Sequence, residues 1–178
     1  MIPGPIRTER LTLLPLEVAH ADEMAAVLAD PALYVFTGGE PPTPAALRVR
    51  YARQVAGPPD PGTDWLNWVV RVATAGDAGD ARGPLAGYVQ ATVTAGRSAE
   101  VAWVVGVAWQ GRGIAREAAL GMARWLAGHG TRELTAHIHP DHHASAAVAR
   151  ALGLTPAGAP DADGEVPWTG QTVDSGDH

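Results

Sequence analysis

The sequence predicts one α/β domain of the α+β type, and three observations carry that prediction. Three consecutive segments rich in β-branched and aromatic residues, 65–73, 85–95 and 99–107, are joined only by turns, so they read as an antiparallel meander. Segments with helical periodicity lie before and after this block instead of alternating with every strand. At 178 residues the chain suits a single core, expected over residues 1–170 with residues 171–178 as a flexible tail.

Residues 8–16 alternate in polarity and meet Pro15, which predicts a first strand. Residues 19–29 place Met24, Val27 and Leu28 on one helical face, with Pro31 as the stop. Thr43-Pro44 begins a second helix, with Thr43 as N-cap and Pro at the first helical position. Leu47, Tyr51 and Val55 or Gln54 form its inward stripe. After the turn region 74–84 and the tight turn Gly96-Arg97, Gly106 near the end of the third meander strand predicts a bulge. A helix over 113–127 follows, with Ile114, Ala118, Met122 and Trp125 on one face. Residues 133–139 read as a strand, Pro140-Asp141 as a turn, 144–152 as a helix capped by Gly153, and 161–168 as a terminal hairpin.

Composition excludes several chemistries. Cysteine is absent, which removes disulfides, thiolate metal sites and cysteine nucleophiles. All 13 basic residues are Arg, which excludes a Schiff-base lysine, a Walker-type phosphate lysine and PLP chemistry. A formal charge of −6 argues against nucleic acid as the main partner. Neither a signal peptide nor an apolar run of membrane-spanning length is found, so a cytoplasmic location is expected, with no membrane partner.

The most informative stretch is Ala99-Glu100-Val101-Ala102-Trp103-Val104-Val105-Gly106-Val107-Ala108-Trp109-Gln110-Gly111-Arg112-Gly113-Ile114-Ala115-Arg116. A strand enters a Gly-rich turn that opens directly into a helix, where unpaired N–H groups and the helix dipole suit a pyrophosphate. Arg112, Arg116 and Arg124 against Glu117 give residues 110–124 a local charge of +2. An ordinary surface turn is the competing reading of the same residues. The pattern lacks the third Gly of a dinucleotide-binding fingerprint.

Gln110-x-x-Gly113-x-Ala115 resembles the Gln/Arg-x-x-Gly-x-Gly/Ala signature of the GNAT superfamily of N-acetyltransferases. Three further motifs resemble its RimJ/RimL-like branch in the same order: Thr8-Glu9-Arg10-Leu11, Ala99-Glu100-Val101-Ala102-Trp103, and Pro140-Asp141-His142-His143-Ala144-Ser145 followed by Ala151-Leu152-Gly153-Leu154. Asp163-Gly164-Glu165 through Trp168 also has a counterpart, so the resemblance runs from about residue 6 to 168.

The resemblance implies a mixed, mostly antiparallel sheet flanked by helices, with a V-shaped splay between central strands, and acetyl-CoA as co-substrate. It implies that the turn amides of Gln110, Gly111, Arg112, Gly113, Ile114, Ala115 and Arg116 take the pyrophosphate. The pantetheine arm would pair with a bulged strand around Val105 and Val107, and His142 stands where the family often has an Asn that contacts that arm. Backbone N–H groups of that strand would polarise the thioester carbonyl.

An ammonium must lose a proton before it attacks a thioester, and Glu100 is the candidate base; an exposed strand residue is the alternative. Ser145 is the candidate that protonates or solvates the thiolate, because residues 144–152 contain no Tyr; a helix cap is the alternative. No metal is expected, although His137, His139, His142 and His143 are closely spaced. Of the six Trp, most are expected in the core, with one or two free to line an acceptor pocket. The expected acceptor is a primary amine, with a small cationic molecule preferred from the acidity of the chain. Protein Nα-acetylation and a non-catalytic acyl-CoA-binding module are the alternatives. A monomer or homodimer is expected.

Overall fold

In the computed structural model, which describes residues 1–73, 83–95 and 97–172, the β-rich middle of the chain is the centre of one eight-stranded sheet. Its strands are β1 (Ile6–Arg7), β2 (Leu11–Pro15), β3 (Thr63–Val72), β4 (Leu85–Thr94), β5 (Ser98–Val105), β6 (Glu133–Ile138), β7 (Thr155–Pro156) and β8 (Val166–Gln171). The order is β1-β2-β3-β4-β5-β6-β8-β7, and each neighbouring pair is antiparallel except the parallel pair β5–β6. Four α-helices, α1 (Ala21–Val27), α2 (Pro44–Ala56), α3 (Ile114–Gly128) and α4 (His143–Ala151), flank the sheet.

Strand alternation divides the core between two faces. Leu66, Trp68 and Val70 of β3, Val89, Ala91 and Val93 of β4 and Val101 and Val105 of β5 pack in one cluster with Ile114, Ala118, Met122 and Leu126 of α3. Val69 belongs to a second cluster with Met24 and Ala25 of α1 and Leu47 and Tyr51 of α2, against which Tyr88 and Val104 also pack. The helices α1 and α2 therefore cover one face, and α3 and α4 the other. Burying each large side chain contributes roughly 1.5–3 kcal/mol, so both faces matter to stability.

Local chemistry accounts for the best-defined helix. The Thr43 side chain accepts from Ala46 N, Pro44 occupies the first helical position, and Leu47 and Tyr51 are buried as the spacing predicts. Val55 points to solvent, so Gln54 completes the inward side. The segment expected as one helix over 19–29 is a 3-10 turn, Val18–His20, running into a short α1.

The bulge expected at Gly106 is not found. The β4–β5 ladder runs from Gly87↔Val105 to Thr94↔Ser98 without a shift, and the irregularity lies instead between Val70 and Arg71 in β3–β4. Gly106 has a different cause: a Cβ there would sit 2.9 Å from Val27 Cγ1 and 2.9 Å from the Val27 carbonyl oxygen. Helix α1 packs that closely.

At the end of the chain, Gln171 pairs with Glu133, and Thr172 Oγ1 donates to the Thr131 carbonyl at 2.8 Å. Residues 173–178 of the expected tail, residues 74–82 of the turn region and Gly96 lie outside the described residues. Among the described residues, no helix is long and apolar enough to cross a membrane.

Candidate active site

The site begins where β5 and β6 part. They pair only from Ser98↔Glu133 to Glu100↔Thr135; beyond that, Ala136, His137 and Ile138 pair with β8 alone. The remainder of β5 thus has an open edge, which is the predicted splay. Gly106 N donates to Ala86 O, so alternation turns the N–H and C=O groups of Val104 toward β4 and those of Trp103 and Val105 toward the open edge. The Val105 carbonyl accepts from Gln110 Nε2 at 3.1 Å, as that orientation requires. Val107 was expected on this strand, but it lies in a 3-10 turn, Val107–Trp109, and is 39% exposed. The chain leaves the sheet at Gly106, which ends the ladder one residue too early for Val107 to extend it.

The turn that follows presents open backbone donors. Gly111 and Gly113 have φ of 73° and 75°, in the left-handed region that favours Gly. The first helical bond runs from Glu117 N to Gly113 O, and among the described residues no hydrogen bond is found from the backbone N–H groups of Gly111, Arg112, Gly113, Ile114, Ala115 or Arg116. Gly113 supplies no side-chain cap, so these donors and the positive end of the α3 dipole are available together. Arg112 and Arg116 are exposed beside them, with the Arg112 guanidinium 5.3 Å from the Trp109 ring centroid. The arrangement fits the pyrophosphate of acetyl-CoA.

A clamp lies behind this turn. Glu117 Oε1 accepts from Thr8 Oγ1 at 2.6 Å and from Arg10 N at 2.8 Å, and its Oε2 takes the Arg10 Nε at 2.7 Å. Arg10 also donates from Nη1 to the Arg112 carbonyl at 2.9 Å. Burial alone would raise the Glu117 pKa, but these donors together hold it below its ordinary value. Thr8-Glu9-Arg10 is therefore the strap that ties the first turn of α3 to the sheet. The signal in the sequence was the pairing of that motif with the lone acid in the basic segment.

On the opposite wall of the splay, α4 follows His142, whose Nδ1 accepts from Ser145 N at 3.4 Å. The cap is thus His142, and Ser145 is the third helical residue, half-buried. Burial, with His139 and His143 nearby, lowers the His142 pKa, so the ring is neutral near pH 7 and its Nε2 carries the proton. Phe36, from the segment between α1 and α2, stacks on His142 at 4.6 Å and lies 5.3 Å from His139. His137 turns elsewhere, 3.2 Å from Asp161, and its ligand atom lies within 4.8 Å of those of Asp161 and Glu165. Asp161 already accepts from the N–H groups of Asp163 and Glu165 there.

Glu100 is exposed, on the last paired position before β5 and β6 diverge, opposite Thr92 of β4. Alternation places it on the α1/α2 face. On that face a cavity of about 250 Å³ lies between α2 and β3–β4, walled by Arg50, Tyr51, Gln54, Asn67, Tyr88 and Gln90 among others. A groove of about 510 Å³ shares Arg50, Gln54, Asn67 and Gln90 with it and continues past Arg53 and Trp65 to Thr92. The groove therefore runs toward Glu100. Sequence reasoning missed Arg50, Arg53 and Gln54; their i, i+3, i+4 spacing marks one helix face, but not what that face would cover.

Comparison with known proteins places these features in a wider set. A family model described as the acetyltransferase (GNAT) domain matches residues 10–155. No curated protein sequence matches the chain. Among solved structures, an acetyltransferase of the GNAT family from Bacillus anthracis superposes with a TM-score of 0.74 at 17% identity, covering 94% of this chain and 98% of that one. The microcin C7 self-immunity acetyltransferase MccE, solved with acetyl-CoA and AMP, gives 0.74 at 15% identity over 92% and 93%. An acetyltransferase from Agrobacterium tumefaciens gives 0.68 at 23% identity over 95% and 94%. At these identities the likeness is one of fold.

Proposed function

The chain belongs to the GNAT acetyltransferase family, and from that premise we propose that it transfers the acetyl group of acetyl-CoA to the nitrogen of a primary amine, in the manner of the RimJ/RimL-like branch. One observation carries the reading: an open strand edge at Trp103 and Val105 leads to a row of unpaired N–H groups at Gly111–Arg116, and a groove on the other face reaches Thr92, the cross-strand partner of Glu100. Membership of the branch is supported by Thr8-Glu9-Arg10, whose contacts give that motif a physical task at the phosphate turn.

In the proposed reaction, Gly111 to Arg116 and the two arginines hold the pyrophosphate, and the free edge of β5 aligns the pantetheine arm. The N–H groups of Trp103 and Val105 are the candidates to polarise the thioester carbonyl. Glu100 takes the proton that the ammonium must lose, directly or through a water molecule. The amine nitrogen bonds to the carbonyl carbon, the carbon–sulfur bond breaks, and the thiolate takes a proton. Ser145 at the start of α4 supplies or relays that proton, beside the neutral His142 ring.

The acceptor class follows from the groove and not from the total charge. The acidity of the chain favours a small cation, yet no Asp or Glu stands among the residues that wall the cavity or the groove. The acceptor proposed is a primary amine. Steady-state assay with acetyl-CoA and a panel of amines, with the product identified by mass spectrometry, tests the reading. Glu100→Gln is expected to lower kcat about 10²-fold or more while leaving CoA affinity unchanged. Tight CoA binding without transfer to any amine or peptide would leave only an acyl-CoA-binding module.

A further inference from the structure

The walls of the acceptor groove carry an unmatched charge and unmatched hydrogen-bonding groups. Arg50 lines both the inner cavity and the outer groove, and Arg53 joins it in the groove. Arg10, Arg48 and Arg71 each pair with a carboxylate, that of Glu117, Asp22 and Glu23 respectively. Arg50 has no ion pair or hydrogen bond among the described residues, and its neighbours one turn away along α2 are Ala46, Leu47, Arg53 and Gln54. Deeper in the same cavity, the Tyr51 side chain is 4% exposed and its hydroxyl has no hydrogen-bond partner among the described residues. Gln54 Oε1 is buried and unpartnered as well. A buried hydroxyl left unpaired costs free energy that evolution rarely leaves uncompensated, so this donor calls for an acceptor atom supplied from outside the fold.

Resting on the N-acetyltransferase reading, we infer that the acceptor amine carries an anionic group, a carboxylate or a phosphate, which Arg50 and the Tyr51 hydroxyl bind in the cavity under α2. The chemistry is matched in kind. An anion accepts from the guanidinium and from the phenol, and the unpartnered Gln54 oxygen accepts an N–H of the same molecule. A second ammonium would meet Arg50 and Arg53 with no carboxylate to neutralise it. The groove leads from this anchor along Gln90 to Thr92, the cross-strand partner of Glu100, so an anion at Arg50 would leave the amine at the Glu100 end.

The test holds the nucleophile constant and changes only the far end of the molecule. Four benzylamines serve as acceptors, carrying at the para position a carboxylate, a phosphonate, a carboxamide or a second aminomethyl group. The carboxylate or the phosphonate is expected to exceed both others in kcat/KM by about tenfold or more, and which of the two leads identifies the anion. Arg50→Gln is expected to reduce that preference to about twofold or less, with the KM for acetyl-CoA unchanged. Tyr51→Phe is expected to raise the KM of the preferred anionic acceptor with little change in kcat. Preference for the diamine, an unchanged ratio in Arg50→Gln, or a rise in acetyl-CoA KM without a change in the ratio would overturn the proposal. Should no amine be acetylated, the transferase reading fails separately. The same four compounds then report by calorimetry with acetyl-CoA present: tighter binding of an anionic member that is lost in Arg50→Gln supports the anion site, and equal binding refutes it.

Discussion

Tyr51 meets two opposed demands. Its ring belongs in the α2 core, between Leu47 and the sheet, while its hydroxyl lies where no acceptor among the described residues reaches. Burial raises its pKa well above the usual phenol value, so it stays a neutral donor throughout the working range. Removing the hydroxyl deletes an unsatisfied polar group and leaves the packing intact. Tyr51→Phe is therefore expected to stabilise the ligand-free protein by about 1 kcal/mol, read from urea midpoints. A loss of stability would mean that the hydroxyl has a partner inside the fold. The residues of this wall could not be found from the sequence, because Arg50, Tyr51 and Gln54 acquire a purpose only when α2 lies on Asn67, Tyr88 and Gln90 of strands far along the chain. The glycines of the turn were legible for the opposite reason: the positive φ of Gly111 and Gly113 is a local matter, set by a few residues on either side.

Among the elements, the phosphate turn depends on two devices, backbone conformation and the strap between β1 and β2. Gly113→Ala would place a Cβ on a residue with φ of 75° and 3.3 Å from Arg10 Nη2. The left-handed conformation costs a non-Gly residue about 1–2 kcal/mol, and acetyl-CoA affinity should fall with it. Glu117→Ala removes an acceptor shared by Thr8, Arg10 N and the Arg10 guanidinium. Because the Arg10 side chain is 50% exposed, its ion pair adds little, and the loss should be about 1–2 kcal/mol, mostly from the less exposed bonds. The Glu117 pKa is depressed below its ordinary 4.5, so its contribution is present above that pH and is lost as pH falls through the folded value. Denaturation of wild type and Glu117→Ala should accordingly differ most at neutral pH and converge as pH falls below the folded-state value. Elements governed by local signals matched the sequence closely: α2 begins at Pro44 after the Thr43 cap, and α3 begins after Gly113. Gly106 misled because its reason is tertiary. Sequence alone offered a bulge as the natural use of a Gly there, whereas the close approach of Val27 is what excludes a side chain.

For the molecule as a whole, the electrostatic problem is how an acidic protein binds an anionic co-substrate. With +2 in residues 110–124 and −6 overall, the remainder of the chain carries −8. The cationic groups lie about 5 Å from a phosphate held on the turn, while the rest of the charge is distributed at about 20 Å, a little beyond the radius of gyration expected for this length. At 0.01 M salt the Debye length is about 30 Å, so the distant repulsion offsets more than half of the local attraction. At 0.15 M the length is about 8 Å; the repulsion almost vanishes while roughly half of the attraction survives. Toward 1 M, with a length of about 3 Å, the local attraction is screened as well. Affinity for acetyl-CoA should therefore pass through a shallow maximum near physiological ionic strength. Calorimetric titration across that range in a single salt is the measurement. A monotonic fall from 0.01 M would mean that the acidic surface is too remote to be felt at the turn, and a monotonic rise would mean that the arginines beside it do not touch the phosphates.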